Sequence, residues 1–258
     1  MKDRQVVICG LARDISEYVS DTIARVEYLG KFFRDYRVVI YENDSQDATR
    51  LALDGYQWRT RTSGHVEILG SNINAPMNPN TRCLQRAERM AYYRNEVRQH
   101  IAQNYADWAD NVLVVDLDLP GGWSNRGIAH TFGRHNTWDF VGSNGILFRD
   151  YGAEKMKPVY FDVWAFRWRN SDKPTRPEEI NPQYWPNGTE LVPVNSCFGG
   201  LGVYRIEAFT RCSYDGTDCE HVPFHRRMRE AGMGRLFMNP SQLTHYGGEP
   251  CLPSGKLV

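Results

Sequence analysis

Four short apolar runs in the first half of the chain constrain its fold more than anything else. They are "QVVICG" (5–10), "YRVVIYEND" (36–44), "HVEILGSN" (65–72) and "NVLVVDLDL" (111–119). Helix-spaced segments separate them: Ile15, Val19, Ile23 and Val26 share one face, and a long helix is predicted over 82–105. Ser45 or Asp44 is placed to cap the helix after the second run. Strands alternating with helices, and apolar on both faces, predict a mostly parallel central sheet of Rossmann type with helices on both sides. Ligands of such sheets bind beyond the carboxyl ends of the strands. The polar groups that end these runs are Arg13-Asp14, Glu42-Asn43-Asp44, Asn72 and Asp116/Asp118. They should meet on one rim.

The second half is more irregular. Strands are predicted at "DFVGSNGI" (139–146), "LVPVNSCFGGLGVYR" (191–205) and "GRLFMNP" (234–240). A loop-like stretch covers 170–188, and a helix runs from after "TDCEH" to near Gly232. At 258 residues a single α/β domain is expected, with a ligand-binding half (1–122) and an irregular half (123–258) that takes a second substrate. Lys plus Arg and Asp plus Glu both total 31, which speaks against a broad basic surface and a nucleic-acid partner. No apolar run approaches the roughly 20 residues that span a bilayer. No signal peptide is read at the start, so a cytoplasmic location is expected. The six cysteines have no metal-site spacing and read as core thiols, although Cys212 and Cys219 are close enough in sequence to bridge. The Asn-Gly-Thr sequon at Asn187 is too common a pattern to change this.

The chemistry centres on Asp116-Leu117-Asp118, followed by Pro120-Gly121-Gly122. If the strand continues through the triplet, both aspartates point to one side. Two like charges held that close call for a cation, a proton or an arginine between them. Paired carboxylates at a strand end suit Mg²⁺ or Mn²⁺ that also binds phosphate oxygens. The plainer reading is an exposed strand end whose aspartates cap a loop or pair with Arg126. On the long helix, Ala87, Met90, Arg94, Val97 and Ile101 share a face, so Arg94 interrupts an apolar stripe. A buried arginine needs an anion, from the protein or from a ligand phosphate; the alternative is an arginine at the stripe's edge that snorkels to solvent. Arg82, Arg86 and Arg89 lie on another face and read as solvated.

"RMAYYRNEVRQHI" before "DNVLVVDLDL" resembles the run in GT-A fold, nucleotide-sugar-dependent glycosyltransferases, where an Arg-Asn helix precedes the strand bearing Asp-x-Asp. "VVICGLARD" and "VVIYENDSQDAT" resemble their first two strands. "CFGGLGVYRIEAF" is similar to their acceptor-side Gly-Gly strand, and "DCEHVPFHRRMREAGMGRLFMNP" to the Glu-Asp helix and the strand after it. With "YFDVWAFR", the combination is most similar to the capsule-associated fungal mannosyltransferase-like family, glycosyltransferase family 69. The resemblance runs in order from Val6 to about Pro240.

That resemblance implies a metal-dependent transferase moving a hexose or pentose from a nucleoside-diphosphate sugar, GDP-mannose or a UDP-sugar, to a glycan hydroxyl. It implies Mn²⁺ or Mg²⁺ on Asp116 and Asp118, with His245 of "QLTHYGG" as third ligand. Arg13, Glu42, Asp44 and Asn72 fall near the nucleoside, while Arg94, Asn95 and Asp116 shape the donor pocket. Where many relatives have Glu-Asp, this chain has Glu220-His221. Glu220 is therefore the first candidate base, with Asp218, His221 and Asp162 behind it, and the stereochemical outcome stays open. Trp123, Trp164, Trp168, Trp185 and Tyr184 suit stacking on sugar rings, though burial is the commoner fate of any one of them. Two alternatives compete: a nucleotidyltransferase that makes nucleotide sugars, for which the glycine-rich loop is missing, and a catalytically silent binding protein.

Overall fold

The computed structural model describes residues 1–70, 72–79, 81–150, 156–183 and 185–247. The four apolar runs form β1 (Gln5–Ala12), β2 (Asp35–Glu42), β3 (Val66–Leu69) and β4 (Asn111–Val115), paired in parallel in the order β3-β2-β1-β4. Between them run α1 (Ser16–Gly30), α2 (Thr49–Arg59) and α3 (Leu84–Asn104). Strand alternation explains the layers. Val7, Cys9 and Val114 face the side covered by Ala91, Val97 and Ile101 of α3. Val6, Ile8 and Leu113 face the other side, covered by Val19, Val26 and Leu29 of α1 and Leu53 and Tyr56 of α2. All five residues of β4 are buried, as a strand covered on both faces requires.

The rest of the chain extends the same sheet through β5 (Gly122–Trp123), β6 (Phe140–Asp150), β7 (Met156–Tyr160), β8 (Arg167–Trp168), β9 (Val192–Ser196), β10 (Leu201–Arg205) and β11 (Leu236–His245). Helices α4 (Asn125–Gly133), α5 (Pro177–Ile180), α6 (Ile206–Arg211) and α7 (His221–Glu230) accompany them. The full order is β3-β2-β1-β4-β10-β6-β11-β9-β8, with β5 on β11 and β7 on β6. β10 is antiparallel to both β4 and β6, while β11 runs parallel to β6. The parallel core thus passes into a mixed second half.

Four sequence expectations need correction. The run 191–205 is two strands, because Gly199 and Gly200 turn the chain with φ of +66° and +84°. A side chain at Gly199 would meet the Ser143 carbonyl oxygen, and one at Gly200 would meet the Tyr246 hydroxyl. β4 stops at Val115, so Asp116-Leu117-Asp118 lies on a turn. The helix after β2 is preceded by Ala48, and neither Ser45 nor Asp44 caps it; Asp47 accepts from the Thr49 amide instead. β11 runs on to His245 across a bulge between Asn239 and Leu243, where the buried Gln242 amide donates to Ser143 Oγ at 3.0 Å.

Cys9, Cys83, Cys197, Cys212 and Cys219 are free thiols, and Cys251 lies outside the described residues. Among the described residues, no helix is long and apolar enough to cross a membrane.

Candidate active site

The loops that leave β1 and β2 are tied to each other. Asp14 and Asp44 both adopt left-handed backbone, with φ of +52° and +55°, which aspartate tolerates better than most residues. Asp14 Oδ1 accepts from the Gln46 amide at 2.6 Å, and Ile15 N–H donates to Thr49 Oγ1 at 2.8 Å. Asp44 accepts from the amides of Asn74 and Ala75 at 2.8 and 3.1 Å. Arg13 donates to the carbonyls of Ala75 and Pro76, Arg89 to those of Pro76 and Met77, and Arg86 to that of Pro79. Arg86 and Arg89 are thus anchors for the segment ending at 79, and not merely solvated charges. A cavity of about 520 Å³ opens between this segment and the turn after β4.

Among the described residues, four arginines (Arg13, Arg82, Arg86, Arg94) and four carboxylates (Asp116, Asp118, Asp162, Glu220) line that cavity. Its centre is Arg94, which is 6% exposed. Helical spacing aims it at the strand ends, where Nε donates to Glu220 Oε1 at 2.9 Å and an Nη lies 3.5 Å from Asp116 Oδ1. Its guanidinium also sits 5.0 Å from the Phe198 ring centroid. Burial alone would discharge Arg94, but Glu220 and then Asp116 outweigh it and raise its pKa. The Tyr246 hydroxyl donates to the other oxygen of Asp116 at 2.9 Å. The sequence pointed to His245, yet it is the next residue that reaches this carboxylate.

Burial lifts Asp116 to about 7; Arg94 opposes the shift and Asp118 adds to it. Asp162 rises to about 6, also through burial, with the Gly199 amide at 3.0 Å opposing and Glu220 adding. His221 lies flat on Phe198, 4.0 Å between centroids. Burial and the positive charge of Arg94 keep it neutral, and neither ring nitrogen has a hydrogen-bond partner among the described residues.

Several expected site residues point elsewhere. Asn95 exchanges two 3.0 Å bonds with the Tyr214 backbone, because it lies about 100° round the helix from Arg94. Asp218 accepts from Arg167 at 2.6 Å and from the Cys219 amide at 2.7 Å. Glu42 holds the Ser45 amide and Arg50, Asp44 holds the 74–75 backbone, and Asn72 is exposed; none of the three lines the cavity, whereas Asn43 does. His245 packs between Gly121 and Phe148, outside the cavity lining. Trp164 lines the cavity, Trp123 is in the core, Trp168 and Trp185 are half-buried, and Tyr184 lies outside the described residues.

No group of three His, Cys, Asp or Glu side chains among the described residues is arranged to hold a metal ion. Of the four carboxylates in the cavity, Asp116 and Asp118 share the turn after β4, and no third His, Cys, Asp or Glu among the described residues completes a cluster with them. This fits a hard divalent cation that takes few protein carboxylates and completes its shell with phosphate and water. Burial is the main cause of the raised pKa of Asp116 and Asp118 adds to it; a bound cation would favour the charged form against both.

One pH dependence follows. Both Asp116 and Asp162 have pKa values above the ordinary 3.8, so the folded chain keeps protons that the unfolded chain has lost. Their contribution is complete below about pH 4 and is lost as pH rises through about 6 to 7. Asp116→Asn mimics the protonated form. In cation-free buffer the variant should gain on the wild type by about 2–4 kcal/mol between pH 4 and 7.5, from about 1.4 kcal/mol per pKa unit. Urea unfolding at both pH values measures it, and a pH-independent difference would contradict the assignment.

No protein-family model matches the chain, and no curated protein does. Solved structures do match. A mannosyltransferase, PcManGT from Pyrobaculum calidifontis, in complex with GDP-Man and Mn²⁺, superposes with a TM-score of 0.57 at 12% identity. The match covers 97% of this chain and 59% of that one. GalNAc-T7 with UDP, GalNAc and Mn²⁺ gives 0.53 at 15% identity, covering 94% of this chain and 44% of that one. Glucosyl-3-phosphoglycerate synthase from Mycobacterium tuberculosis, in complex with phosphoglyceric acid, gives 0.51 at 14%, covering 96% and 73%. The chain therefore spans less than two thirds of the first two. At these identities the likeness is one of fold: the chain has the mixed α/β sheet of the GT-A glycosyltransferases.

Proposed function

We propose that the chain is a metal-dependent glycosyltransferase that moves a hexose or pentose from a nucleoside-diphosphate sugar to a glycan hydroxyl. The observation that carries this reading is the cavity at the carboxyl ends of β1 and β4, where Asp116 and Asp118 stand beside a buried, charged Arg94. The solved mannosyltransferase and GalNAc-T7 that share the fold were captured with GDP-Man or UDP and with Mn²⁺. GDP-mannose or a UDP-sugar is accordingly the proposed donor. The order of the motifs supports placing the chain with the capsule-associated mannosyltransferase-like family.

Charge supports the reading. The four arginines and four carboxylates cancel formally, so a donor diphosphate brings excess negative charge that the cavity alone does not balance. Asp116 and Asp118 would hold Mn²⁺ or Mg²⁺, which when bound supplies the missing charge and acts as a Lewis acid on the departing diphosphate. Arg13, Arg82 and Arg86 stand round the same cavity to orient phosphate oxygens. Arg94 stays charged and fixes Asp116 and Glu220.

If configuration inverts, a carboxylate must take the acceptor proton. Glu220 is poorly suited, since its Oε1 accepts from Arg94. Asp162, at about 6 and oriented by the Gly199 amide, is better matched to neutral pH. Asp162→Asn should lower transfer by roughly 10²–10⁴-fold, the usual contribution of a positioned base, with nucleotide affinity unchanged. Glu220→Gln should cost less. Equal losses would remove Asp162 as base.

The reading is tested by thermal shift with GDP, UDP, GDP-mannose and UDP-sugars, each with and without Mn²⁺. A ligand at one hundred times its Kd stabilises by about 2.7 kcal/mol, which is easily seen. A shift that needs both nucleotide and Mn²⁺ supports the proposal; no shift with any of them rejects it.

A further inference from the structure

A second cavity, of about 280 Å³, lies beside the first and differs from it in chemistry. The end of β7 divides them: Tyr160 lines the second cavity, while Phe161 and Asp162 line the ionic one. None of the described residues lining the second cavity carries a charge. Four of them are amides, Asn144, Asn181, Gln183 and Asn187, and half-buried Trp185 lines the cavity with them. Asn181 Oδ1 accepts from the Tyr160 amide at 3.1 Å, which orients the side chain, and its two N–H donors have no partner among the described residues. Tyr160 carries a buried hydroxyl with no hydrogen-bond partner among the described residues.

We infer that this cavity binds a neutral, hydroxyl-rich sugar ring of the acceptor, next to the place where the new bond forms. Its acceptor role rests on the transferase reading above. An amide both donates and accepts, as a sugar hydroxyl does, and an indole face matches the C–H face of a pyranose. A phosphate or carboxylate would lose its water there without meeting a lysine or arginine among the described residues. A purely apolar ligand would strand the amides. The volume lies just below the usual range for whole drug-sized ligands, so it suits a single ring and not a nucleotide.

Saturation-transfer NMR on the full chain tests this, with methyl α-mannopyranoside, methyl β-galactopyranoside and methyl β-xylopyranoside as neutral probes and glucuronate as the charged control. At least one neutral glycoside should bind, and glucuronate should bind at least fivefold more weakly. Trp185→Ala and Asn181→Asp should each weaken the neutral probe at least fivefold and leave Mn²⁺-dependent GDP or UDP binding within twofold. Should Trp185→Ala also lose the nucleotide, Asn181→Asp decides. Glycoside binding without any nucleotide binding would stand for the sugar site and against the transfer reading. Absence of neutral-glycoside binding, equal binding of glucuronate, or full binding by Asn181→Asp would overturn the inference.

Discussion

Arg94→Met will destabilise the chain by about 3–5 kcal/mol, the usual cost of breaking a buried ion pair from one side. Methionine fills much of the same space, so packing is a minor part of the loss. The larger part is charge. Glu220 is 4% exposed, and without Arg94 nothing positive pairs with it within hydrogen-bond distance among the described residues. Asp116, already raised to about 7 by burial and Asp118, loses the group that holds it down. For a chain of this size each kcal/mol moves the melting temperature by roughly 2–4 °C, so a fall of about 6–20 °C is expected. Adding Glu220→Gln to Arg94→Met should recover part of it by removing one stranded charge. A melting temperature within 3 °C of wild type would show that Arg94 is not the clamp described here. The stripe of helical spacing makes Arg94 look like a donor ligand; its two carboxylate partners show that it holds the site together first.

Asp118→Asn should have the opposite signature. The side chain is exposed at the turn after β4, so stability should stay within about 0.5 kcal/mol of wild type. Cation-stimulated transfer, by contrast, should fall by roughly 10²–10³-fold, since a Lewis acid on the leaving group is worth several kcal/mol and each 1.4 kcal/mol is a factor of ten. Isothermal titration with Mn²⁺ in the presence of nucleotide would show the lost affinity directly. Turnover at the wild-type rate would detach the metal from this turn.

The parallel core could be read from the chain because β1, β2 and β4 are apolar on both faces, a pattern few other structures tolerate. The Gly199-Gly200 break could not. Apolar content continues across residues 191–205, and only the backbone, turning through two positive φ angles, sends β9 and β10 to different places in the sheet. Arg94 stood out because a charge in an apolar stripe must be answered. Its neighbour Asn95 carries no such signal, and one step round the helix turns it to the Tyr214 backbone. Tyr246 was missed for a related reason: an aromatic residue beside a histidine gives no hint that its hydroxyl will cross the sheet end to Asp116. Tertiary contacts of this kind have no local period.

The matched numbers of arginines and carboxylates round the main cavity bear on the order of arrival. With every carboxylate ionised, a mouth whose described lining has no surplus of either sign casts little field into solvent, so it would not draw a distant dianion by long-range steering. Once a divalent ion is seated, the same mouth becomes attractive to that dianion. On the proposed reading, loading would then run in sequence, ion before nucleotide, and added salt would slow the second arrival far more than the first.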